Sequence, residues 1–232
     1  MRLLGLITAR GGSKRIPGKN LKSVGGKPLI AWTIEEACKS RMLDEVVMST
    51  DDEGIAEVAR SYGASVPFMR PAALAGDSSP HIDCVFHALE TLGELGFEPF
   101  DAVVLLQPTS PLRLAEDIDG FAREAIARHA EAMVSVCESV EHPYFIRCFD
   151  SQGLLHPFVP QDVVYPRKQD LQQTYYINGS LYFNTVSSLY RDRSFYPDRL
   201  YGYEIPVERS LQVDNEYELN IADLLLKQRD GN

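Results

Sequence analysis

The 232-residue chain has only four cysteines, Cys38, Cys84, Cys137 and Cys148, and no two form a C-x-x-C pair. That spacing argues against a structural zinc site or a dithiol redox motif, and it predicts reduced, mostly buried thiols. The histidines offer no H-E-x-x-H, and His81 and His87 are spaced for different faces of a helix. No apolar run approaches the roughly 20 residues that cross a bilayer. The short run LLGLIT passes straight into RGGSKR with nothing resembling a cleavage region, so no signal peptide and a cytoplasmic location are expected. There is no low-complexity tract, and the length suits one sizeable domain with at most a small subdomain.

The N-terminus also lacks acid. Arg2, Arg10, Lys14, Arg15, Lys19, Lys22 and Lys27 all precede the first carboxylate, Glu35. The first 34 residues therefore carry a formal +7 in a chain of net −10, which leaves −17 on the rest. The acidic total argues against nucleic acid as a partner. The local excess of cations points instead to a compact, highly charged anion.

The chain alternates strand and helix signals. Strands are expected at 3–8, 45–50, 65–69, 102–107 and 132–138, the continuous apolar run AVVLLQ (102–107) suiting a sheet covered on both faces. Helices are expected from Pro28 to about Arg41, with Ile30, Ile34, Ala37 and Cys38 as its stripe; from an Asp51 or Asp52 cap to Gly63; after Pro80, with Val85, Phe86, Leu89 and Leu92 inward; and at 115–129. This is the pattern of a doubly wound, mostly parallel α/β sheet, whose ligands sit beyond the carboxyl ends of the strands. Two polar loops fall there, 9–20 and 107–113. Residues 140–176 break the pattern with Pro143, Pro157, Pro160 and Pro166 among Tyr144, Phe145, Phe149, Phe158 and Tyr165, and they read as a projecting arm suited to self-association. Strands at 178–185 and 201–206 and a helix at 215–228 follow, within one domain spanning 1–232.

In ARGGSKRIPGKN (9–20), Gly11, Gly12 and Gly18 let backbone approach a ligand while Arg10, Lys14, Arg15 and Lys19 add charge, a chemistry suited to a triphosphate. It is neither G-x-G-x-x-G nor a Walker A loop: five residues separate Gly12 from Gly18, and Asn20 follows Lys19. A P-loop kinase is thereby disfavoured.

This stretch resembles the signature of the acylneuraminate cytidylyltransferases. LLQPTSPLR (105–113), RKQDL (167–171) with YYINGSLYF (175–183), and ERSLQVDNEYEL (208–219) resemble the same family in the same order. Kdo cytidylyltransferases carry a similar loop but with Pro at the position of Asn20. The resemblance implies a nucleotide-diphospho-sugar transferase-like fold with a small dimerisation subdomain, a homodimer, and a reaction of CTP with a 2-keto sugar acid, aided by Mg2+ or Mn2+. It implies Arg10, Lys19 and Asp214 as catalytic groups. Ala9, Gly12, Ser13, Lys14 and Asn20 would hold nucleotide, with Arg70, Ser78 and Ser79 near the base or ribose. Gln107, Thr109, Ser110, Arg113, Arg167, Lys168, Gln169, Tyr176 and Asn178 would line the sugar side. Where the family usually has Asp-x-Asp near the metal, this chain has Gln212-Val213-Asp214. Some alternatives stay open: Arg70 as a surface salt bridge, 107–113 as a rigid turn set by Pro108 and Pro111 whose polar groups satisfy local backbone, Asp214 as a helix cap, transfer to another sugar or sugar phosphate, or a catalytically weakened nucleotide-binding paralogue.

Overall fold

Alternation along the strands sets the layers of the computed structural model, which describes residues 1–76, 79–160 and 167–230. Ser78, Tyr165 and Pro166 lie outside the described residues. In β1 (Leu3–Thr8), Leu3 and Ile7 pack to one side of the sheet and Leu4 and Leu6 to the other. A short hairpin, β2 (Ser23–Val24) and β3 (Lys27–Pro28), precedes α1 (Leu29–Lys39). Then come β4 (Glu45–Ser49), α2 (Glu53–Ser61) and α3 (His81–Glu94). In β5 (Ala102–Leu106) the alternation recurs, Val104 facing one layer and Val103 and Leu105 the other. The chain continues through α4 (Ala115–Ala127), β6 (Ala132–Glu138), β7 (Arg147–Phe149), β8 (Leu155–Pro157), β9 (Tyr175–Thr185), α5 (Val186–Asp192), β10 (Tyr201–Glu204) and α6 (Glu216–Asp230).

The main sheet has the order β10-β6-β9-β5-β1-β4. All its pairings are parallel except those of β9, which runs antiparallel between β5 and β6. Ile30 and Ile34 of α1, Ile55 of α2 and Phe121 of α4 cover one face; Val85 and Leu92 of α3 and Leu189 of α5 cover the other. The α/β reading from the sequence is thus the observed architecture. A third cluster joins Leu219, Ala222 and Leu226 of α6 to Trp32, Val24, Ile16 and Val213. It pins both the 9–20 loop and the segment before Asp214 to the body. Lys27 and Arg229 lie over the Trp32 ring at 3.5 and 4.6 Å.

Several local expectations need correction. Residues 65–69 are not a strand: they make a single bridge, Val47 to Ser65. Pro67 has no N–H for a ladder, and the chain turns so that the Arg70 N–H donates to the Thr50 carbonyl at 2.7 Å. Helix α1 stops at Lys39 because Ser40 is extended. The cap of α2 is Asp52, which accepts from the Ile55 N–H at 2.9 Å, and Gly63 ends that helix at φ 100°. Cys38 and Cys148 are exposed, not buried. In the arm, β7 and β8 form a two-stranded antiparallel sheet whose residues are all exposed, Phe149 by 75%. Among the described residues no helix is long and apolar enough to cross a membrane.

Candidate active site

The 9–20 loop leaves the carboxyl end of β1 and is held at defined points. Ile16 is fully buried and anchors its middle. Gly11 lies against Asp52, where a Cβ would collide, and its N–H donates to Asp51 Oδ1 at 3.3 Å. Gly18 takes the left-handed conformation, φ 65°, that starts the single turn over Lys19–Leu21. Asn20 is buried, and its Nδ2 donates to the Arg10 carbonyl at 3.2 Å, folding the loop back on itself. Gly12, Lys14 and Arg15 are exposed and Ser13 is half-buried.

Beside this loop is a cavity of about 310 Å³, lined by Thr8, Arg10, Arg70, Leu74, Gly76, Ser79, His81, Cys84 and Gln107. It sits where β1 and β5 end, as the topology requires. Arg70 is 5% exposed, which excludes the surface salt-bridge alternative. Its NH2 donates to the Ala9 carbonyl at 2.9 Å and to Asp51 Oδ1 at 3.3 Å, while its buried Nε has no partner. Ser79 Oγ donates to the Ala73 carbonyl at 2.9 Å. His81 Nε2 lies 2.6 Å from Thr8 Oγ1. Burial, then the nearby Arg70 charge, push the His81 imidazole down to about 4, so it is neutral at pH 7. Thr8, His81 and Cys84 carried no local signal in the sequence; only their place at a strand end and at the start of α3 marks them.

Lys19 reaches across the loop. Its Nζ donates to the Val213 carbonyl at 2.8 Å and to Asp214 Oδ1 at 3.1 Å. Asp214 does not cap α6. Asn215 does, its Oδ1 accepting from the Glu218 N–H at 2.9 Å, while Glu218 Oε2 accepts from the Asn215 and Asp214 N–H groups at 3.1 and 2.6 Å, a reciprocal capping box. The Asp214 carboxylate is thereby left to Lys19 and to solvent, its side chain 47% exposed. Gln212 turns its amide to the Asn178 carbonyl. Among the described residues no group of three or more His, Cys, Asp or Glu is placed to hold a metal. The donor set at 212–214, one carboxylate and a committed neutral amide, fits a cation that arrives on a phosphate rather than one resident in the protein.

Three groups of expected substrate residues fall elsewhere. Arg113 is 1% exposed; its guanidinium is enclosed by Ser180, Thr33 and Gln107 because the 107–113 turn folds over it. Asn178 is 2% exposed and spent on the interior: Ser135 Oγ donates to its Oδ1 at 2.6 Å and its Nδ2 donates to Ser210 Oγ at 2.9 Å. Ser110 is also buried, whereas Thr109 is half-buried and its carbonyl accepts from the Val213 N–H at 2.8 Å. Gln169 and Lys168 line a different cavity, of about 420 Å³, at the base of the arm with Glu138, His142 and Thr174. Arg167 is exposed and bonded to Asp170 at 2.6 Å, and Tyr176 is 43% exposed with its phenol pushed up by burial.

The N-terminal cations divide in the same way. Lys22 pairs with Glu216, Lys27 with Glu35 and Arg2 with Glu45. These three serve the scaffold, so the ligand-facing charge is smaller than the count of seven suggests.

A family model described as cytidylyltransferase matches residues 4–220. The chain is 38% identical to a CMP-N,N'-diacetyllegionaminic acid synthase of Legionella pneumophila, over 98% of this chain and 97% of that one. It is 33% identical to a pseudaminic acid cytidylyltransferase of Campylobacter jejuni over the same shares. A CMP-2-keto-3-deoxy-manno-octonic acid synthetase solved with CTP superposes with a TM-score of 0.72 at 18% identity, covering 99% of this chain and 100% of that one, a likeness of fold. The chain belongs to the cytidylyltransferase family.

Proposed function

We propose that this protein joins CTP to a nonulosonic, sialic-type 2-keto acid, giving a CMP-sugar and pyrophosphate. The observation that carries the reading is the cavity at the ends of β1 and β5, where Arg10, Arg70 and Gln107 meet beside the Lys19 loop. Its near full-length relatives bear names of that chemistry. The anomeric hydroxyl oxygen of the sugar acid bonds to the α-phosphorus, and the bond from that phosphorus to the α–β bridging oxygen breaks. Pyrophosphate leaves with the electron pair, and the hydroxyl proton passes to water. Such a transfer asks the protein for positioning and charge neutralisation. Arg10 and Lys19 hold phosphate oxygens; Arg70, with an unpaired buried N–H, serves the base or ribose; Gln107 meets the sugar acid. Mg2+ or Mn2+ would be held by Asp214 with oxygens of the nucleotide, and would supply further neutralisation there. The arm at 140–176, with its exposed aromatics, serves a homodimer, and a CTP-consuming reaction belongs in the cytoplasm.

The test is a matrix of each nucleoside triphosphate against N-acetylneuraminate, legionaminate, pseudaminate and Kdo, read by pyrophosphate release. The reading requires release with CTP and a nonulosonate. Release only with another triphosphate or a sugar phosphate would replace it, and CTP binding with no release from any pair would favour the weakened paralogue.

A further inference from the structure

We propose that Arg113 is a positioning residue: from inside the core it sets the 107–110 turn that faces the sugar acid and, through it, the strand of chain that presents Val213 and Asp214 to Lys19. This rests on the reading of the site given above. The family resemblance puts Arg113 among the residues lining the sugar side. The geometry points inward instead.

The guanidinium sits among oxygens from three distant parts of the chain. NH1 donates to the Ser180 carbonyl at 2.7 Å and to Ser180 Oγ at 3.0 Å; NH2 donates to Thr33 Oγ1 at 3.0 Å; both reach the Gln107 carbonyl at 3.4 Å. Thr33 Oγ1 also donates to that carbonyl, at 3.3 Å. The Gln107 backbone is therefore pinned from below while its side chain lines the cavity. Two further bonds carry the turn onward. The Gln107 N–H donates to the Ser180 carbonyl at 3.2 Å, and the Thr109 carbonyl accepts from the Val213 N–H at 2.8 Å. The Val213 carbonyl in turn accepts from Lys19 Nζ.

A buried charge with this many oxygens around it is a rigid fixture, because leaving any of its partners unpaired is costly. The fork of donors is what matters, and lysine cannot reproduce it. Asp117, which lies near Arg113, is itself clamped by Arg209 at 2.8 Å, and Asn178 Nδ2 donates to Ser210 Oγ, so the chain is fixed just before it enters 211–214.

The test combines Arg113→Lys with amide exchange and kinetics. Arg113→Lys should speed exchange of the Gln107 and Val213 amides by about tenfold while Leu4 and Leu6 in β1 stay protected. It should lower kcat/KM for the sugar acid by about 10- to 100-fold, as a small displacement of a positioned group does. The KM for CTP should stay within about threefold. Combined with Gln107→Ala, the losses should fall short of additive, because one residue acts through the other. Unchanged exchange with unchanged kinetics would overturn the inference, and so would full additivity with Gln107→Ala. Thr33→Val, which removes the hydroxyl that accepts from Arg113 and donates to the Gln107 carbonyl but leaves the guanidinium in place, repeats the test with a smaller effect if Arg113→Lys does not fold. If the wild type turns over no nonulosonate, the functional reading fails, while the exchange of Gln107 and Val213 still decides the role of Arg113.

Discussion

Replacing Lys19 by methionine separates the site from the scaffold. The substitution keeps the aliphatic stem and removes the ammonium, which bonds the Val213 carbonyl and Asp214 Oδ1. The ion pair with a half-exposed carboxylate is worth about 1 kcal/mol or less, and the charged bond to the carbonyl adds about 1.5 kcal/mol. A loss of about 2 kcal/mol in a protein of this size lowers Tm by about 4–8 °C. Turnover should fall further. A charge-assisted contact to developing phosphate charge is worth about 2–4 kcal/mol in the transition state, so kcat should drop about 30- to 1000-fold. The assay is continuous pyrophosphate release at saturating CTP and sugar acid, with calorimetry on the same preparation. Lys19→Met with kcat within about threefold of wild type and an intact fold would refute the reasoning. A Tm fall well beyond the calculated range would show instead that Lys19 is chiefly a structural tie between the two loops.

The other expectations are as definite. Asp214→Asn should nearly abolish turnover while lowering Tm by no more than about 4 °C, because Asn215, not Asp214, caps α6 and only the ion pair with Lys19 is lost; wild-type activity and metal dependence would remove Asp214 from the mechanism. Gly179→Ala should destabilise the protein, since φ is +69° there and a Cβ would strike the Gln212 amide, which urea unfolding would detect. His81, with an imidazole held down to about 4, takes up protons less readily when folded than the ordinary value near 6.5 allows unfolded, so stability should fall as pH drops from about 6.5 to 4, by at most about 3 kcal/mol. His81→Gln should flatten that slope in urea midpoints measured across the range. If the arm carries the proposed homodimer, Phe149→Asp with Phe158→Asp, both exposed there, should shift the protein toward monomer in sedimentation equilibrium; an unshifted distribution would remove the arm from self-association.

What the sequence made legible is local. The runs at 3–8 and 102–107 announce buried strands because covered parallel strands are apolar throughout. The basic glycine loop announces an anion because its residues act together over twelve positions. The placement of β9 between β5 and β6 was not legible, since it depends on pairing across the whole chain. The burial of Arg113 and Asn178 escaped for the same reason: their partners, Ser180, Thr33, Ser135 and Ser210, come from other elements. A polar residue in a motif looks the same whether it faces a ligand or braces the backbone that does. His81 and Thr8 escaped in the opposite sense, for nothing in their neighbourhood distinguishes them until α3 is laid beside the end of β1.

The most direct test of the central claim is a 31P spectrum of the products from CTP, magnesium and the best nonulosonate in the matrix. Cytidylyl transfer gives one phosphodiester resonance, from a CMP-sugar, and pyrophosphate in equal amount, with neither product formed when the sugar acid is left out. Orthophosphate with CDP, or pyrophosphate released without sugar acid, would contradict it.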